Sequence, residues 1–161
     1  MAVPRPGVQE RILLHLRDYV DHADKVEVPF ALSQMGIANA VAIARSNVPR
    51  AIAGMREQGH LIERQAHVTG VSRKRKAYFL TEEGANIAND IWAKVSTQRV
   101  RLVHPDGRSE TLELAQALES TDLPMRHVDF LRYLDDTGTV DLSALSAELI
   151  ERDLSKHIEK Q

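Results

Sequence analysis

LSQMGIANAVAIARSNVPRAIAGMREQGHLIERQAHVTGVSRKRKAYFLTEEG, residues 32–84, changes its hydrophobic period halfway along, and that change decides the fold. The first half repeats at helical spacing. Ser33 stands where a helix cap belongs, and Met35, Ile37, Ala38, Val41 and Ala42 follow as an apolar stripe. Ile43, Ala44 and Arg45 make a turn, and Ser46 is placed to cap a second helix. In that helix Val48, Ala51, Ile52 and Met55 fall at i, i+3, i+4 and i+7, which commits one face to a core. The opposite face carries Ser46, Asn47, Pro49, Arg50 and Arg56. Pro49 is compatible with a first helical turn, whose amides have no intrahelical partners, and Gly59 supplies a left-handed stop after Gln58. The second half reads as strands. Residues 61–68 and 76–80 are rich in β-formers, joined through Thr69, Gly70, Val71 and Ser72, with Arg73, Lys74, Arg75 and Lys76 at the tip.

Two helices joined by a tight turn and followed by a hairpin with a basic tip predict a winged helix-turn-helix, an arrangement suited to duplex DNA. The charge distribution agrees. Residues 1–44 carry net −1, residues 45–76 have eight Lys and Arg against two Asp and Glu, net +6, and residues 77–161 carry net −7. A basic segment coinciding with the free helix face and the hairpin tip is the footprint of a phosphate-binding surface. Arg50, in the first turns of the second helix, has the geometry to pair with guanine, and Asn47 with adenine. Arg45, Ser46 and the amides of the helix start suit phosphates, as do Arg73, Lys74, Arg75 and Lys76. The candidate DNA-contact set is completed by Ser33, Pro49 and Arg56. An isolated four-residue basic run is equally well a solvated loop; its place after a helix-turn-helix favours DNA.

The composition excludes other classes. A chain of 161 residues buries a core without staples, and it has no cysteine for disulfides, thiol catalysis or thiolate-bound zinc. No apolar run approaches membrane-spanning length and no signal-type segment opens the sequence, so a cytoplasmic protein is expected, located in the nucleoid by the DNA reading above. Few aromatic residues argue against a base-stacking platform for single strands. Of the seven histidines, His104 lies beside Asp106, but no third ligand stands at a definite spacing, and a turn histidine is expected. No nucleophile elbow or functional carboxylate pair is visible; Glu82–Glu83 and Asp135–Asp136 read as helix-end charges. No enzyme activity, cofactor or metal is expected.

Outside the motif, residues 8–20 read as a packing helix with Ile12, Leu13, Leu16, Tyr19 and Val20 on one side, and Phe30 or its neighbours as a short first strand. Residues 83–97 form a helix with Ile87, Ile91, Trp92 and Val95 inward; Trp92 is expected in a core or an oligomer contact rather than a ligand pocket. A strand pair around the turn His104-Pro105-Asp106-Gly107 leads to a helix near 113–119. Asp122 caps a helix to Asp136 ended by Gly138, and residues 142–160 form a last helix with Leu145, Leu149, Leu154 and Ile158 as apolar positions. The fold class is mainly α with a small β component, divided into a winged domain with its linking helix, 1–97, and a small α/β or helical acidic region, 98–161. Residues 129–159 faintly repeat the helix-connector-helix order, and packing or self-association is expected of them rather than a second DNA motif.

The elements VPFALSQ before the first motif helix, EQGHLIER into the hairpin and KAYFLTEEG out of it resemble the winged-helix domain common in archaea. That domain occurs at the N-terminus of large signal-transduction ATPases and in short regulators. The resemblance spans residues 8–84, and through LTEEG the chain is similar, more loosely, to MarR-type regulators. It departs from the ATPases in having no GxxxxGK[ST] loop. The resemblance implies double-stranded DNA as partner. A homodimeric transcription regulator is the first expectation and an architectural nucleoid protein the second, because Ala51, Ala53 and Gly54 leave the second helix few base-reading groups. A winged helix that binds protein alone fits the +6 segment poorly, while the acidic region remains open to a protein partner.

Overall fold

The structure, a computed structural model, describes residues 6–147 apart from Asp122 and Pro124. Its contacts separate residues 6–95 from residues 96 onward.

The first unit is built around α1 (Val8–Arg17), whose Ile12, Leu13, Leu14 and Leu16 are all buried. Two polar residues of α1 are buried with them. Arg11 Nη1 donates to Val41 O at 2.9 Å, and His15 Nε2 donates to Ala31 O at 2.7 Å. These two anchors go beyond the apolar packing helix that the sequence predicts; Val20, expected on its apolar side, is exposed and lies past its end.

The helix-turn-helix follows. A short 3₁₀ turn, Phe30–Leu32, leads into α2 (Gln34–Val41), capped by Ser33, whose hydroxyl accepts the Gly36 amide at 3.1 Å. Ile37, Ala38 and Val41 are buried as the stripe predicts, but Met35 is exposed and Ala42 ends the helix in the left-handed region at φ +58°. A second 3₁₀ turn, Arg45–Asn47, enters α3 (Val48–Glu57), which buries Val48, Ile52 and Met55. Ser46 therefore lies inside this entry turn and does not cap α3; Asn47 holds the cap position, without a side-chain bond. Gly59, at φ +81°, turns the chain out of α3 as expected.

The wing is the antiparallel hairpin of β2 (Leu61–Val68) and β3 (Arg75–Leu80), in register from Leu61 opposite Leu80 to Ala66 opposite Arg75. Arg75 and Lys76 are thus the first residues of β3, and Arg73 and Lys74 lie in the loop. The third strand, β1 (Glu27–Val28), runs parallel to the end of β2, so Phe30 belongs to the turn after the strand. Thr81 then joins three elements. Its hydroxyl donates to Gly59 O at 2.6 Å and accepts the Gly84 amide at 3.1 Å as α4 (Glu82–Val95) begins. Gly84 is needed there, because a Cβ would sit 2.0 Å from His60 O. On α4 Ala88 and Val95 are buried, and Ile87, Ile91 and Trp92 are half-buried, with the Arg17 guanidinium 5.9 Å from the Trp92 ring.

The second unit is a small α/β layer. β4 (Arg99–Val103) pairs antiparallel with β5 (Ser109–Glu113) and parallel with β6 (Thr139–Asp141). The hairpin turn is closed by His104 N donating to Arg108 O, and His104 Nε2 meets Glu110 at 2.7 Å across it, the turn role expected of this histidine. α5 (Leu114–Ser120) falls where the sequence places it, but α6 (His127–Arg132) is shorter than expected. The helix ends at Arg132, and Asp135 organises the turn that follows. Its Oδ1 accepts the amides of Thr137 and Thr139, at 2.8 and 3.0 Å, and feeds β6 into the sheet. Since Thr139–Asp141 is a strand beside β4, the faint repeat of the helix-turn-helix order is not a second such motif. Residues 142–147 are helical with Leu142 and Leu145 buried; the expected apolar positions Leu149, Leu154 and Ile158, and the cap Asp122, lie outside the described residues.

Candidate nucleic-acid interface

Arg45, Ser46, Asn47, Pro49 and Arg50 are all exposed at the start of α3. They share a surface because Val48 and Ile52 are buried, so that the helical period turns residues 49, 50 and 53 outward. Among the hairpin cations, Arg73, Lys74, Arg75 and Lys76 are exposed as well. A cleft of about 650 Å³ opens between these elements, lined by Phe30, Gln34 and Met35 at the entry to α2, by Arg45, and by Gln65, Val71, Lys74, Arg75 and Lys76 of the wing. The fold therefore brings Arg45 to the wing cations, although nearly thirty residues separate them in sequence. Arg50, Asn47 and Arg73 stand outside that cleft lining. The start of α3 has no side-chain cap: the Val48 amide donates to Arg45 O of the entry turn, and Pro49 has no amide hydrogen to satisfy.

Three members of the predicted set, Ser33, Arg56 and Lys76, have partners within the fold. Ser33 is 5 % exposed and lines the same cleft, and its hydroxyl donates to Phe30 O at 2.6 Å while accepting the Gly36 amide, as the cap of α2. Arg56 is exposed near the end of α3 but lies 3.4 Å from Glu63. Of the eight cations between residues 45 and 76, Arg64 is also committed to the fold. It donates to Ala23 O and Lys25 O at 2.8 and 3.0 Å, and its guanidinium lies 4.4 Å from the Phe79 ring centre.

The sequence reading did not single out Glu63, Tyr78 and Gln34. Gln34 Nε2 donates to Tyr78 Oη at 2.9 Å, and Tyr78 Oη donates to Glu63 Oε1 at 2.8 Å. Glu63 Oε2 faces Arg56, and Glu63 Oε1 is 4.0 Å from Lys76 Nζ. Burial pushes the Tyr78 phenol above its ordinary range, and the adjoining Glu63 carboxylate adds to that, against the Gln34 hydrogen bond and the Arg56 charge. The hairpin register carries the missing signal. Glu63 stands directly opposite Tyr78 and diagonal to Lys76, so writing the ladder out from Leu61 and Leu80 places all three on one face.

Comparison with known proteins adds little. No family model matches the chain, and no curated protein matches it. Among solved structures it is similar to a chain from Ralstonia eutropha, at 22 % identity over 53 % of this chain and 94 % of that one, with a TM-score of 0.39. It is also similar to ZitR of Lactococcus lactis, a zinc-responsive MarR family member, at 18 % identity over 99 % and 78 % of the two chains, TM-score 0.45. A point mutant of MepR from S. aureus matches at 13 % identity over 96 % and 79 %, TM-score 0.44. At these identities and scores the likenesses carry no argument about what the chain does. Among the described residues, no helix is long and apolar enough to cross a membrane.

Proposed function

We propose that this protein binds double-stranded DNA through its winged helix-turn-helix and acts as a transcription regulator. The reading is carried by one convergence: Arg45, at the entry of the exposed helix, lines the same cleft as Lys74, Arg75 and Lys76 of the wing. Cations from two elements around one concavity suit a phosphate backbone, and the helix start beside them suits a major groove. Arg50 and Asn47 are the base-reading residues in this account, with Arg45, Ser46 and the wing cations on phosphates. Titration of the full chain against random duplexes at several salt concentrations tests it. Binding that weakens steeply with salt supports the reading, and no binding at low salt contradicts it.

The exposed surface of α3 also favours a second reading. Exposed Ala53 and half-buried Gly54 come after Arg50 and offer bases no polar side-chain group, which suits an architectural protein that coats DNA. Genome-wide occupancy separates the two. A few sharp sites indicate regulation, and near-uniform coverage indicates packaging.

A further inference from the structure

We propose that Glu63 restrains the DNA-binding surface, its carboxylate weakening the hold of Arg56 and Lys76 on phosphate and so limiting affinity for duplexes of every sequence. This rests on the duplex-DNA reading above and deepens it by naming the residue that sets the strength of non-specific binding.

The acid and the two cations are held very differently. Glu63 is only 20 % exposed in its side chain and is pinned by Tyr78, which is itself tied to Gln34 on α2. Arg56 and Lys76 are 46 % and 54 % exposed, on long flexible stems. A phosphate can draw either cation outward, yet it also meets the carboxylate, which Tyr78 holds in place. One of these cations comes from α3 and the other from the first residues of β3, so a single acid bears on both elements of the interface. Exposed ion pairs are individually weak, which makes this a restraint and not a lock. Within residues 45–76 the other carboxylate, Glu57, is exposed and has no ion-pair partner among the described residues.

The test is Glu63→Gln in the full chain, with duplex affinity measured across a salt series. The amide oxygen of glutamine still accepts the Tyr78 hydroxyl, so only the charge is lost. The variant is expected to bind every duplex roughly 3- to 10-fold more tightly, with a salt slope steeper by roughly one to two per protomer as Arg56 and Lys76 reach phosphate. Glu57→Gln, which removes the same charge but releases no cation, should leave the slope unchanged. An unchanged slope in a folded Glu63→Gln, or equal steepening in both variants, overturns the restraint while wild-type binding leaves the DNA reading standing. Absence of duplex binding by the wild type overturns both. Should Glu63→Gln not fold, Lys74→Gln and Lys76→Gln decide: a held Lys76 contributes less to the salt slope than Lys74, and equal losses overturn the proposal.

Discussion

Tyr78 Oη donates to Glu63 Oε1 at 2.8 Å, and the two residues face each other directly across the β2–β3 ladder. Tyr78 is 1 % exposed, so its hydroxyl cannot exchange this partner for bulk water. Tyr78→Phe should therefore cost about 1–3 kcal/mol in urea unfolding, since it deprives both Glu63 and Gln34 of a partner. The pH dependence has a definite sign. A phenol held above its ordinary range stabilises the fold below the unfolded value, and that contribution is lost as pH rises through the folded one. The alkaline decline in stability should be shallower in Tyr78→Phe. An unchanged midpoint and an unchanged alkaline limb would remove the network from the account.

Gly36 is predicted to be irreplaceable for a reason opposite to helix propensity. Alanine in a helix is favoured over glycine by about 1 kcal/mol, but a Cβ here would stand 2.1 Å from Phe30 O and 2.7 Å from Ala31 Cα. Those are backbone atoms of the turn that opens α2, so the clash prevails. Gly36→Ala should destabilise the winged unit by about 1–3 kcal/mol or more in urea unfolding. A stabilised variant would show that α2 sits farther from the turn than described.

Asp135 governs the entry of β6 in the second unit. The Thr137 hydroxyl, with the amides of Thr139 and Thr137, holds its carboxyl below the ordinary carboxylate range. The stabilisation is therefore present above the unfolded Asp value and is lost as pH falls through the lower folded one. Protection of the β6 amides, taken relative to the intrinsic exchange rate at each pH, should fall on Asp135→Ala at neutral pH, and in the wild type on acidification below about pH 4. Protection that is indifferent to both changes would contradict the role given to Asp135.

Arg50→Ala should separate base reading from phosphate holding. If Arg50 makes paired contacts with guanine, affinity for a preferred site falls by about 1–3 kcal/mol and affinity for random DNA falls less. Equal losses in competition binding would remove Arg50 as a reader and favour the architectural role.

The helices and hairpin of the winged unit were legible because each follows a local rule. The α3 stripe, the stop at Gly59 and the strand-rich segment beginning at Leu61 all act within a few residues of sequence. What escaped depends on partners far along the chain. β6 is three residues long and exists through its pairing with β4, nearly forty residues upstream. Ser33 and Ser46 illustrate the same division at the site. Both are good cap residues, but Ser33 follows the turn Phe30–Leu32 and caps α2, whereas Ser46 falls inside the entry turn Arg45–Asn47 and stays exposed. Composition showed that residues 45–76 are basic, but Arg64 and Arg56 are drawn into the fold by contacts that no charge count reveals.

The central claim, that the wing and the exposed start of α3 form one phosphate-binding surface, is tested most directly by the salt dependence of the variant in which Arg73, Lys74, Arg75 and Lys76 are all neutralised to glutamine. Each phosphate contact releases condensed counterions with a slope of about −0.9 per charge. With two to four of these residues on phosphate, the magnitude of the slope should fall by roughly two to four per protomer, on every duplex, while preference among sequences persists through Asn47 and Arg50. An unchanged slope in a correctly folded variant would mean that the tip is a solvated loop and that the DNA-binding surface lies elsewhere.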